Sequence, residues 1–191
     1  MRGAAPRIPK GSGRAVKKHE THPYTVMTVC TGNICRSPMG EIILRHEFEQ
    51  RGLGDAVRVE SSGVSDEEYG NPIDPRAVKV LRERGYAIPA KHFAHRITRN
   101  EIADTDLFLP MTASHMNALL HMLPLSKRSD VHMYRSFDPD LPDPQPGCQS
   151  ESDLVDPWYG GPREFETAID QIEAVAPYIA DYVEQQLEAR G

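Results

Sequence analysis

Cysteine is scarce, tryptophan occurs once, and no apolar run is long; each shortage removes a class of protein. Three cysteines in 191 residues, at positions 30, 35 and 148, cannot staple a secreted framework. They leave no Cys/His cluster at zinc spacing, so no metal is expected. Cys30 and Cys35 stand too far apart for a C-x-x-C dithiol motif. Nothing approaches the roughly 20 apolar residues of a membrane span, and no signal-peptide core opens the chain. No stable membrane association is expected; the thiols point to a reducing cytoplasm, with export by another route left open.

Acid is also missing, locally. The first eighteen residues hold six basic ones (Arg2, Arg7, Lys10, Arg14, Lys17, Lys18) and no Asp or Glu, so they carry about +6 and residues 19–191 about −12. Residues 1–22, rich in Gly, Ala and Pro and without a helical period, are expected to be a disordered basic leader. An acidic body does not suit nucleic acid. With 39% hydrophobic content, residues 23–191 are expected to form a single domain, working as a monomer.

Tyr24 to Val29 is short, β-branched and followed by a glycine-containing turn. Ser37-Pro38 and the apolar Met39, Ile42, Ile43 and Phe48 then read as a helix. Strands are expected at 57–59, 106–109 and 130–133, and helices at 75–84, stopped by Gly85, at 113–122 and at 163–189. The alternation predicts an α/β fold: one three-layer domain with a four-stranded parallel sheet flanked by helices. Five prolines between Phe137 and Trp158 exclude regular structure there. A long Pro/Asp-rich loop at about 138–157 is a candidate mobile wall of a site.

The chemistry concentrates in Cys30-Thr31-Gly32-Asn33-Ile34-Cys35-Arg36-Ser37-Pro38. A cysteine ends the first strand, an arginine opens the first helix, and five residues turn between them. Backbone N–H groups of such a turn, with the helix's positive end, form an anion cradle; Gly32 permits close approach, and a phosphate dianion fits. The same field favours a thiolate at Cys30, a nucleophile at neutral pH. Arg36 can bind two phosphate oxygens through its planar fork, and Ser37 can donate a hydrogen bond to a departing thiolate. Asparagine suits a loop position forced toward positive φ, as at Asn33. C-x5-R alone is a weak signal; the preceding strand, the Gly and Asn within the turn and the Ser-Pro after it strengthen it.

The segment V-C-x-G-N-I-C-R-S-P, together with Gly70-Asn71-Pro72 through Asp74 and Arg76, Arg135-Ser136-Phe137-Asp138-Pro139 and Asp156-Pro157-Trp158-Tyr159-Gly160, resembles the low-molecular-weight protein tyrosine phosphatase family over most of residues 24–189. The resemblance implies hydrolysis of phosphotyrosine in proteins without cofactor or metal. It implies Cys30 as nucleophile, Arg36 as phosphate clamp and Asp156 as general acid. Thr31, Gly32, Asn33, Ile34, Cys35 and Ser37 would form the binding loop, Trp158 and Tyr159 would flank the substrate ring, and Ser61 and His92 would support the loop. Asp-Pro occurs at Asp74, Asp138, Asp143 and Asp156, but only the last precedes aromatics. Three positions depart from the family: His95 where many members have Arg, Thr112 where many have Asp, and Glu67 at a wall position that is often aromatic. Other readings on the same scaffold are a protein-arginine phosphatase, which Ile34 disfavours, and an arsenate reductase, which would need Cys148 as relay. A non-catalytic phosphoprotein-binding module is a rival of another class.

Overall fold

The computed structural model describes residues 22–142 and 149–190. The expected leader, apart from His22, lies outside them, as do Asp143 and Cys148. Three parallel strands, β1 (Tyr24–Cys30), β2 (Val57–Gly63) and β3 (Leu107–Pro110), lie in the order β2-β1-β3. Every residue of central β1 is buried. Its side chains alternate between two cores, as the period of two in a strand requires. Val26 and Cys30 join one core with residues of α1 (Arg36–Gln50), α2 (Pro75–Glu83) and α5 (Pro162–Arg190). Met27 and Val29 join the other, with residues of α3 (Arg99–Asp104) and α4 (Ala113–Met122) packed against it. Helices therefore cover both faces.

The fourth strand is a correction. Val131 forms only an isolated parallel bridge with Phe108, supported by His132 N–H donating to the Phe108 carbonyl at 3.0 Å. Short 3-10 turns at Leu125–Asp130 and Tyr134–Phe137 take the residues on either side. Tyr134, fully buried with its hydroxyl donating to the Ile172 carbonyl at 3.2 Å, holds the second turn in place of an extended strand.

Local chemistry fixes the helix ends. Asp74 caps α2 by accepting from Arg76 N–H at 2.8 Å, with Pro75 in the first turn. Gly85, at φ 85°, ends it. The short helix α3 is an addition to the expected elements, and Thr98 and Glu101 spell the capping box that starts it. Pro177 does not break α5. Ile172, Val175, Ala176, Ile179 and Ala180 around it are at most 2% exposed, and their packing outweighs the lost backbone bond.

Candidate active site

Cys30 ends β1 opposite Gly63 of β2, and Arg36 begins α1. A Cβ on Gly63 would collide with the Thr31 carbonyl oxygen, so the end of β2 carries no side chain and the loop can lie across it. Asn33 takes φ 60°, the one positive value at a non-glycine among the described residues. It is fully buried and bonded on every side. Its Nδ2 donates to Ser37 Oγ and to Ser61 Oγ, both at 3.0 Å. Its Oδ1 accepts from the His95 backbone N–H at 3.2 Å, and its carbonyl accepts from His92 Nε2 at 2.8 Å. Ser61 in turn donates to Glu41 Oε2 at 2.5 Å.

Ser37 Oγ lies 3.0 Å from Cys30 Sγ and 3.1 Å from the Ser62 carbonyl. A thiol at Cys30 can donate to Ser37; a thiolate can accept from it. Cys35 occupies the cap position of α1 without giving a side-chain bond, so the first-turn N–H groups of the helix lack a side-chain cap and face the loop. Burial above all, then the nearby Asp74 carboxylate, pushes the Cys35 thiol far up and keeps it protonated.

Cys30, Ile34, Arg36, Glu67, Asp156 and Trp158 are among the residues lining a cavity of about 230 Å³. Arg36, almost fully buried, donates from NH2 to Asp156 Oδ2 at 2.8 Å across 120 residues of sequence. Asp156 Oδ1 accepts from Trp158 N–H at 3.1 Å, which fixes the turn after Pro157. Arg76 fastens that turn to the body: its NH1 donates to the Trp158 and Gly160 carbonyls, each at 3.2 Å, and its guanidinium lies 5.4 Å from the Trp158 ring and 4.8 Å from Phe165. Arg76 also pairs with Asp74 at 2.9 Å. Burial would raise Asp74, but the Arg76 hydrogen bonds outweigh it and its carboxyl lies below the usual range.

Every sequence-predicted residue within the described chain gathers here, in two tiers. Cys30, Thr31, Gly32, Ile34, Cys35, Arg36, Asp156, Trp158 and Tyr159 line the cavity. Asn33, Ser37, Ser61 and His92 do not line it and brace the loop through the bonds above. Tyr159, 92% exposed, stands free at the rim. Asp138 lies outside the cavity, paired with Arg135 at 3.4 Å. Glu67 lines the wall as expected, and Glu68, which the sequence did not single out, joins it.

The departures at His95 and Thr112 are locally compensated. His95 Nε2 meets Glu101 Oε1 at 2.6 Å, an ion pair that raises the imidazole. Thr112 caps α4 and bonds His115 Nδ1 at 2.9 Å, while His115 Nε2 bonds Thr31 Oγ1 at 2.8 Å. No sequence signal marked His115; a histidine three residues after a helix cap is ordinary.

A buried cysteine and arginine around an uncapped helix start, faced by a carboxylate from a distant loop, lie at the carboxyl end of a parallel sheet, where α/β folds bind ligands. The family model described as low molecular weight phosphotyrosine protein phosphatase matches residues 25–189, and the chain belongs to that family. The low molecular weight protein-tyrosine phosphatase A of Mycobacterium tuberculosis is 38% identical over 169 residues, covering 88% of this chain and 97% of the relative. The low molecular weight protein-tyrosine-phosphatase of Streptomyces coelicolor is 34% identical over 169 residues, covering 88% and 98%. Among solved structures, the YwlE arginine phosphatase from Geobacillus stearothermophilus superimposes with a TM-score of 0.69 at 28% identity, covering 87% and 97%. No helix among the described residues is long and apolar enough to cross a membrane.

Proposed function

We propose that the protein is a protein-tyrosine phosphatase, acting as a cytoplasmic monomer without metal or cofactor, that hydrolyses phosphotyrosine through a cysteinyl-phosphate intermediate. The Cys30 thiolate attacks phosphorus opposite the phenolic oxygen. The P–S bond forms as the P–O bond breaks, and the Asp156 carboxyl gives its proton to the departing oxygen. Arg36 and the loop N–H groups hold the three remaining oxygens as the phosphoryl group flattens. In the second step the Asp156 carboxylate takes a proton from water, whose oxygen attacks phosphorus. The P–S bond then breaks, Ser37 donates to the leaving thiolate, and inorganic phosphate departs.

The observation that carries this reading is that Cys30, backed by Ser37 at 3.0 Å, opens on the same cavity as the Arg36–Asp156 pair, which meets at 2.8 Å. Aryl selectivity is supported by Ile34, Trp158 and Tyr159 on the cavity wall. The arginine phosphatase among the structural relatives, with Glu67 and Glu68 at the wall as partners for a guanidinium, supports a second reading. Turnover of para-nitrophenyl phosphate by purified protein, abolished by Cys30→Ser, separates catalysis from mere phosphate binding. Peptides carrying phosphotyrosine, phosphoserine or phosphoarginine then decide the substrate: kcat/KM should be highest for phosphotyrosine, and equal or higher values for either other peptide would overturn the assignment.

A further inference from the structure

Asn33, Ser61 and His92 brace the loop on its β2 side. On the β3 side one side chain reaches the loop's first residue. His115, on α4, is 4% exposed and has both ring nitrogens in hydrogen bonds, Nδ1 with Thr112 Oγ1 at 2.9 Å and Nε2 with Thr31 Oγ1 at 2.8 Å. Thr112 Oγ1 also accepts from the His115 backbone N–H at 3.3 Å. Either neutral tautomer satisfies these groups: Nδ1 accepts from the Thr112 O–H while Nε2–H donates to Thr31 Oγ1, or Nδ1–H donates to Thr112 Oγ1 while Nε2 accepts from the Thr31 O–H. Burial, reinforced by the nearby Arg36 guanidinium, holds the imidazole down at about 3, so the ring stays neutral at physiological pH and one ring nitrogen donates while the other accepts. Thr31 follows Cys30 directly, lines the cavity, and has its carbonyl held by Ser65 N–H at 3.1 Å.

From the chain Thr112–His115–Thr31 we infer that His115 is a positioning residue for the phosphate loop, fixing Thr31 and so the geometry that the loop offers to the phosphoryl group in flight. It touches no reacting atom. The inference rests on the proposed phosphatase reaction. A loop freed on this side still binds a tetrahedral anion through Arg36 and the remaining N–H groups, but fits the flattened transition state less well, so the loss falls on kcat more than on KM.

The test compares His115→Gln, His115→Leu and Thr31→Val with the parent in steady-state turnover of para-nitrophenyl phosphate and in inhibition by vanadate and by inorganic phosphate. Gln can place an amide near Nε2 and keep the bond to Thr31; Leu fills the space without it. His115→Leu and Thr31→Val should each lose about ten-fold in kcat, the worth of one buried hydrogen bond. Both should weaken vanadate, which adopts the trigonal geometry, by a similar factor while leaving phosphate inhibition within about two-fold. His115→Gln should recover most of the loss. If Gln and Leu behave alike, or if vanadate and phosphate weaken together, His115 is only packing and the inference fails. An inactive parent protein would instead sink the phosphatase reading itself.

Discussion

Asn33→Ala perturbs the loop where the structure ties it most tightly, and its cost can be assembled from the bonds it removes. Alanine at φ 60° pays the left-handed penalty, about 1–2 kcal/mol. Ser37 and Ser61 each lose a donated hydrogen bond, and the His95 backbone N–H loses its acceptor. At about 1 kcal/mol each, these bring the total to about 4–5 kcal/mol. For a domain of this size 1 kcal/mol moves Tm by about 2–4 °C, so the melting temperature should fall by roughly 8–20 °C. Ser37, no longer oriented by Asn33, should serve Cys30 poorly, and kcat/KM should drop at least about ten-fold. Asn33→Gly separates the terms: it accepts the backbone angle but makes no side-chain bonds, so its melting point should lie between those of alanine and parent. Scanning calorimetry of the three proteins, with steady-state assays alongside, reads both effects. An alanine variant within about 1 °C of the parent, or a glycine variant less stable than alanine, would refute the reasoning.

Asp156→Ala should slow phosphotyrosine turnover by about 10² to 10⁴, since a phenolate with a pKa of roughly 10 departs poorly without a proton. Read as kcat/KM, which reports the first step alone, an activated aryl phosphate should suffer much less; equal losses of kcat/KM on both would move the acid elsewhere. Glu101→Gln addresses the His95 pair. Burial would raise Glu101, but the bonds from His95 and Thr98 draw it down to about 2, while His95 is raised chiefly by Glu101. The pair is at full strength above 4.5 and below 6.5, the ordinary values of the two groups. Its contribution fades as pH falls toward the folded value of Glu101 or rises through that of His95. In urea melts the stability gap between parent and Glu101→Gln should be widest near pH 5–6 and shrink as the pH rises through the raised value of His95; a gap that keeps growing with pH would refute the pairing. Cys35, buried in the same loop as Cys30, should form a reversible disulfide with it under mild peroxide. Cys35→Ala should then recover less activity with dithiothreitol than the parent, and equal recovery would exclude the protective role.

What the sequence revealed depended on distance along the chain. Cys30 to Ser37 form one local unit whose strand, turn and helix start each leave a mark, so the anion loop and the positive φ of Asn33 could be read directly. Asp156 reaches Arg36 from 120 residues away, and four Asp-Pro pairs compete for the role; its aromatic neighbours and the family resemblance singled it out. Contacts made through the fold left no such mark. The bond from Ser61 to Glu41, the clamp of Arg76 on the Trp158 turn and the reach of His115 to Thr31 depend on which faces of α1, α2 and α4 pack against the sheet. The segment around Val131 has strand-like composition, but flanking 3-10 turns leave it a single bridge.

The central claim, that Cys30 carries the phosphoryl group, is tested most directly by rapid acid quench of Asp156→Ala during turnover of an activated aryl phosphate, followed by peptide mapping. In this variant the first step proceeds without the acid while hydrolysis of the intermediate loses its base, so the intermediate should accumulate. The account predicts one phosphoryl group on the peptide containing Cys30, absent when Cys30 is also replaced by Ala. Turnover with no phosphorylated peptide, or with the label on any other residue, would contradict it.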